Sequence, residues 1–128
     1  MKRGKVRIIT ADVGRLRQFY ELVIKLEPVG DERYVEFRLP GLTLAIADQR
    51  RINMSAAGAA TPGSNRSAVF DFEVENVDAE YDRLRTIVDT FELVPTTQPW
   101  GNRSMLFRDR DGNLVNFFAP VRVAAGSR

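Results

Sequence analysis

Apolar and polar positions repeat along the chain at two periods, and each change of period marks an element. KVRIIT (5–10) alternates with Val6, Ile8 and Thr10 on one face and Lys5, Arg7 and Ile9 on the other, the pattern of a strand covered on one side. Asp12 follows at an N-cap position, and Val13, Leu16, Tyr20 and Val23 then recur at helical spacing, so VGRLRQFYELVI (13–24) is predicted as an amphipathic helix. Pro28 and Gly30 end it. Two further strands are predicted, RYVEFRL (33–39) and LTLAIA (42–47), joined by the turn-forming pair Pro40-Gly41.

The second half repeats the order. AVFDFEV (68–74) alternates as a strand, with Phe70, Phe72 and Val74 towards a core and Val69, Asp71 and Glu73 away from it. Asn76 caps a predicted helix over VDAEYDRLRTIVDTF (77–91), with Val77, Tyr81, Leu84 and Val88 on one face. ELVPT (92–96) is a strand whose proline confines it to an edge or a bulge. WGNRSMLFRDRDGNLVNFF (100–118) is a hairpin turning at Asp111-Gly112. A shift of 64 places lays Asp12 on Asn76, Lys5 on Val69 and Arg7 on Asp71, and a shift of 71 lays Gly41 on Gly112. The repeat divides the chain into a module at 5–48, a connection at 49–66 and a module at 67–120, together one domain. RRINMSAAGAATPGSNRS (50–67) has no apolar period and is expected to be a mobile connection, and VAAGSR (123–128) a frayed tail.

Composition removes whole classes of chemistry. The 128 residues contain no cysteine and no histidine, which excludes disulfides, thiolate metal sites, cysteine nucleophiles and the commonest catalytic base. No apolar run approaches the roughly 20 residues of a membrane span. The 19 basic residues are interleaved with 17 acidic ones, so neither a nucleic-acid partner nor a membrane partner is expected, and a cytoplasmic location is the default. Serine and threonine lack a histidine partner, and there is no glycine-rich phosphate loop.

The two strand-helix-strand-strand-strand modules, with ADVGRLRQFYE near the start and PWGNRSMLFRDRDGNLVNFF near the end, resemble the vicinal oxygen chelate superfamily of glyoxalases, bleomycin-resistance proteins and extradiol dioxygenases. The resemblance covers about residues 5–120. Arg110 departs from it, standing where many members have a turn proline. It implies an α+β fold of two βαβββ modules forming a curved mixed sheet, and a homodimer, because members commonly pair modules across chains. It also implies a divalent metal held in the cup of the sheet at positions that here are Lys5, Ala45, Val69 and Asn116. An ammonium, a methyl, an isopropyl and one amide do not make a metal site. No metal or other cofactor is therefore expected.

An emptied cup can still bind. Asn116 either faces it or meets solvent; Arg7 and Asp71 either pair with each other or recognise a polar ligand; Trp100 either stacks on a flat ligand or packs in a core. Tyr34, Phe37, Arg103, Met105 and Phe107 lie on the middle strands, where the resemblance places cup walls. Two functions follow. One is a metal-independent binding protein similar to the bleomycin-resistance branch, holding an aromatic or cyclic small molecule through Arg7, Asp71, Trp100, Arg103 and Asn116, with no catalytic residue. The other is an enzyme with metal-independent or lost activity, using Glu36, Asp71 or Glu73 as a base.

Overall fold

A computed structural model describes residues 1–121; the tail VAAGSR lies outside the described residues. Contacts divide the chain into two compact units. Unit 1 is Met1–Asn65 with Arg110–Gly112, and unit 2 is Arg66–Asp109 with the described residues from Asn113 onward. Each is a four-stranded mixed sheet with a helix on one face, and the fold is α+β.

In unit 1, β1 (Lys5–Thr10) runs parallel to β4 (Thr43–Asp48), which pairs antiparallel with β3 (Tyr34–Arg38) and through it with the two-residue β2 (Val29–Gly30). Asp12 accepts from Arg15 N at 3.1 Å and starts α1 (Val13–Ile24), which buries Val13, Leu16, Phe19, Tyr20 and Val23. Ile8, Val35, Phe37, Leu44 and Ile46 form the other side of that core. The helix stops earlier than Pro28, because Lys25 turns into the left-handed region at φ 59° and donates to Glu21 O. Gly30, predicted only as a breaker, is a strand residue at φ 142°. A Cβ there would lie 2.1 Å from Tyr34 O, so only glycine permits the approach of β2 to β3.

The connection at 49–66 begins with a helix, α2 (Gln49–Ala56), that the apolar pattern does not show. None of its residues is buried. Its start is fixed by Asp48, which accepts from Arg50 N at 2.9 Å and holds the Arg50 guanidinium.

In unit 2, β5 (Val69–Glu73) runs parallel to β8 (Leu114–Pro120), followed by β7 (Asn102–Arg108) and the edge strand β6 (Phe91–Thr97). The register of β6 shifts twice around Leu93, which accommodates Pro95 at the edge. Asn76 caps α3, but the helix spans only Val77–Leu84. The β-branched run Thr86-Ile87-Val88 is poor helix sequence, and Phe91 is drawn instead into a ring cluster with Tyr81 and Phe107 at 5.0 and 6.0 Å. The β7–β8 turn is closed by a buried pair, with Asn113 donating from N and Nδ2 to the two carboxylate oxygens of Asp109 at 2.9 and 2.8 Å.

Candidate functional site

Strand register assigns each candidate to a face. In unit 1, Lys5, Arg7, Tyr34, Glu36 and Arg38 share the face away from α1, since Lys5 and Arg38 both pair with Thr43, Arg7 and Glu36 with Ala45, and Tyr34 with Ala47. Phe37 is buried on the helix side, 6.3 Å from the Tyr20 ring. The open face carries a connected polar network. Lys5 Nζ donates to Tyr34 Oη at 2.6 Å and to Glu36 Oε2 at 2.9 Å, Tyr34 Oη donates to the same oxygen at 2.7 Å, and Arg38 Nε donates to Glu36 Oε1 at 2.9 Å. Hydrogen bonds from Tyr34, Lys5 and Arg38, in that order, hold the Glu36 carboxyl down at about 2. The same contacts raise the Lys5 ammonium. The Arg51 guanidinium lies 5.3 Å from the Tyr34 ring centroid and covers it.

In unit 2, Val115 and Phe117 point into the core, so Asn116 between them faces away from α3. It stands beside Asp71 in register and donates from Nδ2 to Asp71 Oδ1 at 2.9 Å. A carboxylate only accepts, which fixes the amide orientation. The amide oxygen, Asn116 Oδ1, is buried with no hydrogen-bond partner among the described residues. Around the pair on this face stand Leu106, Leu114 and Phe118, each half-buried, and the exposed Val69.

The five ligand candidates are thus only partly brought together. Asp71 and Asn116 touch. Arg7 occupies the equivalent strand position in unit 1 and is exposed. Arg103 is on the opposite face of the unit 2 sheet, with Met105 and Phe107, where it makes a bidentate pair with Asp78 of α3, both bonds 2.8 Å, and donates to Thr97 at 3.1 Å. Trp100 is 75% exposed in the turn between β6 and β7. It precedes β7, and the strand from Asn102 to Leu106, the register partner of Asn116, alone spans roughly 13 Å. Neither Arg3 nor Arg38 is among the residues the sequence singles out. The signal for Arg3 was present in the alternation Arg3, Lys5, Arg7, and that for Arg38 in the alternation Tyr34, Glu36, Arg38.

No divalent metal fits the residues at the positions implied by the resemblance. Lys5 is engaged as a cation by Glu36, Ala45 and Val69 have no donor atoms, and the Asn116 nitrogen is committed to Asp71. Taking Asp71 in place of Val69 gives one carboxylate and one amide, already bonded to each other. Among the described residues there is no cluster of three His, Cys, Asp or Glu side chains that could hold a metal, and no helix long and apolar enough to cross a membrane.

These two βαβββ units define a class, and comparison with known proteins gives the same class. The chain belongs to the Glyoxalase/Bleomycin resistance protein/Dioxygenase superfamily, whose family model it matches over residues 2–117. Among solved structures it is similar to a glyoxalase/bleomycin resistance protein/dioxygenase from Nocardioides, with 22% identity, a TM-score of 0.78, and coverage of 100% of this chain and 89% of that one. It is also similar to a lactoylglutathione lyase from Agrobacterium tumefaciens, at 23% identity and a TM-score of 0.70, covering 90% of each chain. A fosfomycin resistance protein from Mesorhizobium loti aligns at 18% identity and a TM-score of 0.67, covering 92% and 91% of the two chains. At these identities the likeness is one of fold. A search of curated proteins found no match.

Proposed function

We propose that this protein is a metal-independent small-molecule binding protein of the superfamily, without catalytic activity, that takes an aromatic or cyclic ligand on the open sheet face around Asp71 and Asn116. The observation that carries this is the chemistry at the metal positions: two lack donor atoms, and the two polar side chains are spent on Glu36 and Asp71. A superfamily member without a Lewis acid loses the means to polarise a substrate oxygen. Glu36 does not replace it, because a carboxyl held at about 2 by three donors is a poor proton acceptor near neutral pH. Leu106, Leu114, Phe118 and Val69 supply an apolar floor, and the exposed Asp71 carboxylate, oriented by Asn116, supplies an acceptor for a ligand donor. Trp100 stacks only on a ligand long enough to reach the β6–β7 turn. Arg7 is exposed on unit 1 and is not part of this unit 2 site.

A thermal-shift screen of aromatic and cyclic natural products tests the assignment. Ligands at 100 times their dissociation constant should stabilise the protein by about 2.7 kcal/mol, and Asp71→Asn should abolish the shift for cationic ligands. A library without hits, or hits indifferent to Asp71→Asn, would remove Asp71 and Asn116 from the site. The proposal includes assembly as a homodimer in the cytoplasm. Sedimentation at micromolar concentration should give twice the chain mass, and a monomer mass at every dilution would contradict it.

A further inference from the structure

Unit 1 contains a concavity of about 130 Å³ lined by Arg3, Gly4, Lys5, Glu36, Arg38 and Thr43. Three cations surround it and one anion. Both oxygens of that anion, Glu36, are already occupied, Oε1 by Arg38 Nε and Oε2 by Lys5 and Tyr34. Arg38 makes its ion pair through Nε, and among the described residues its two terminal nitrogens have no partner. Arg3 likewise takes part in no hydrogen bond or ion pair among the described residues, and the Thr43 hydroxyl has no partner there either. Lys5, Thr43 and Arg38 lie in one row across β1, β4 and β3, which sets the backbones bearing the two cations roughly 10 Å apart. Both cationic groups converge on the Glu36 carboxylate, which keeps their remaining donors close enough to share one tetrahedral oxyanion.

We propose that this concavity is a binding site for a dianionic oxyanion, a phosphate or phosphate-monoester group, held by the terminal nitrogens of Arg38, the Arg3 guanidinium, Lys5 Nζ and the Thr43 hydroxyl. Glu36 acts as a positioning residue: it fixes Lys5 and the Nε side of Arg38, so that the remaining donors are turned outward before the anion arrives. Three cations and one carboxylate leave a surplus of two positive charges, which matches a dianion. The site consists wholly of unit 1 residues and does not depend on the role given to Asp71 and Asn116.

The test is a titration of the ¹⁵N-labelled protein with inorganic phosphate at neutral pH and constant ionic strength, followed by amide shifts. Saturable shifts confined to the N-terminal end of β1, to β3 and to Thr43 are expected, with Arg38→Gln and Arg3→Gln each weakening the dissociation constant by about tenfold. Arg17→Gln makes the same charge change on α1, where Arg17 is paired with Glu21, and should leave the constant unaltered. A parallel titration with phenyl phosphate separates two sources of the group. Tighter binding assigns the site to the head group of an organic ligand, and equal binding to free phosphate. Shifts that do not saturate, or an equal loss in Arg17→Gln, would reduce the effect to bulk charge and overturn the site.

Discussion

Glu36 shows how one side chain sets the character of a sheet face. Its carboxylate accepts from Tyr34, Lys5 and Arg38 and is held at about 2, against 4.5 for the free group. Between those values the unfolded chain binds the proton and the folded chain does not. The stabilisation is therefore complete above the unfolded value and is lost as pH falls through the folded one. A carboxyl NMR titration should place the Glu36 midpoint near 2, and Tyr34→Phe should raise it, because the largest single cause has been removed. A wild-type midpoint at the ordinary glutamate value would mean that the network does not form in solution. At this scale the sequence was half legible. Alternation alone placed Lys5, Arg7 and Ile9 opposite Val6, Ile8 and Thr10, and put Asp71 on the open face. It did not show Asp71 beside Asn116 or Lys5 near Glu36, because those neighbours depend on which strands pair and in which register. Alternation with Met105 and Phe107 puts Arg103 on the helix side, but its pairing with Asp78, 25 residues earlier, depends on where α3 packs and was not legible.

Elements were legible where they bury an apolar face. α1 and α3 both start at the capping residues that the sequence marks, Asp12 and Asn76. α2 was not legible because it buries nothing, and its start depends on the Asp48 carboxylate alone. The end of α3 was misplaced because Val88 remains buried beyond the last helical turn, so the apolar period outruns the helix. β2 was hidden in two residues whose pairing needs the absent Cβ of Gly30. The cap at Asn76 yields a prediction: its side chain accepts from Ala79 N at 3.0 Å, and Asn76→Ala should lower unfolding stability by about 1 kcal/mol with an unchanged denaturant slope. A loss within error of zero would show that the cap is not formed in solution.

For the whole molecule, the repeat visible in the sequence reappears as two units of the same strand order, β1-β4-β3-β2 and β5-β8-β7-β6. Arg7 faces Ala45 in one unit as Asp71 faces Asn116 in the other. The two have diverged in chemistry, with a cation-rich open face in unit 1 and a carboxylate oriented by an amide on an apolar floor in unit 2. Neither offers the donors of a metal-dependent superfamily enzyme, and metal-independent binding is the central claim. Native mass spectrometry with elemental analysis, on protein purified from its own source before and after dialysis against EDTA, tests that claim most directly. The account predicts no stoichiometric divalent metal and an organic adduct that survives chelation. One zinc, nickel, manganese or iron per chain, with release of the adduct when the metal is removed, would contradict it.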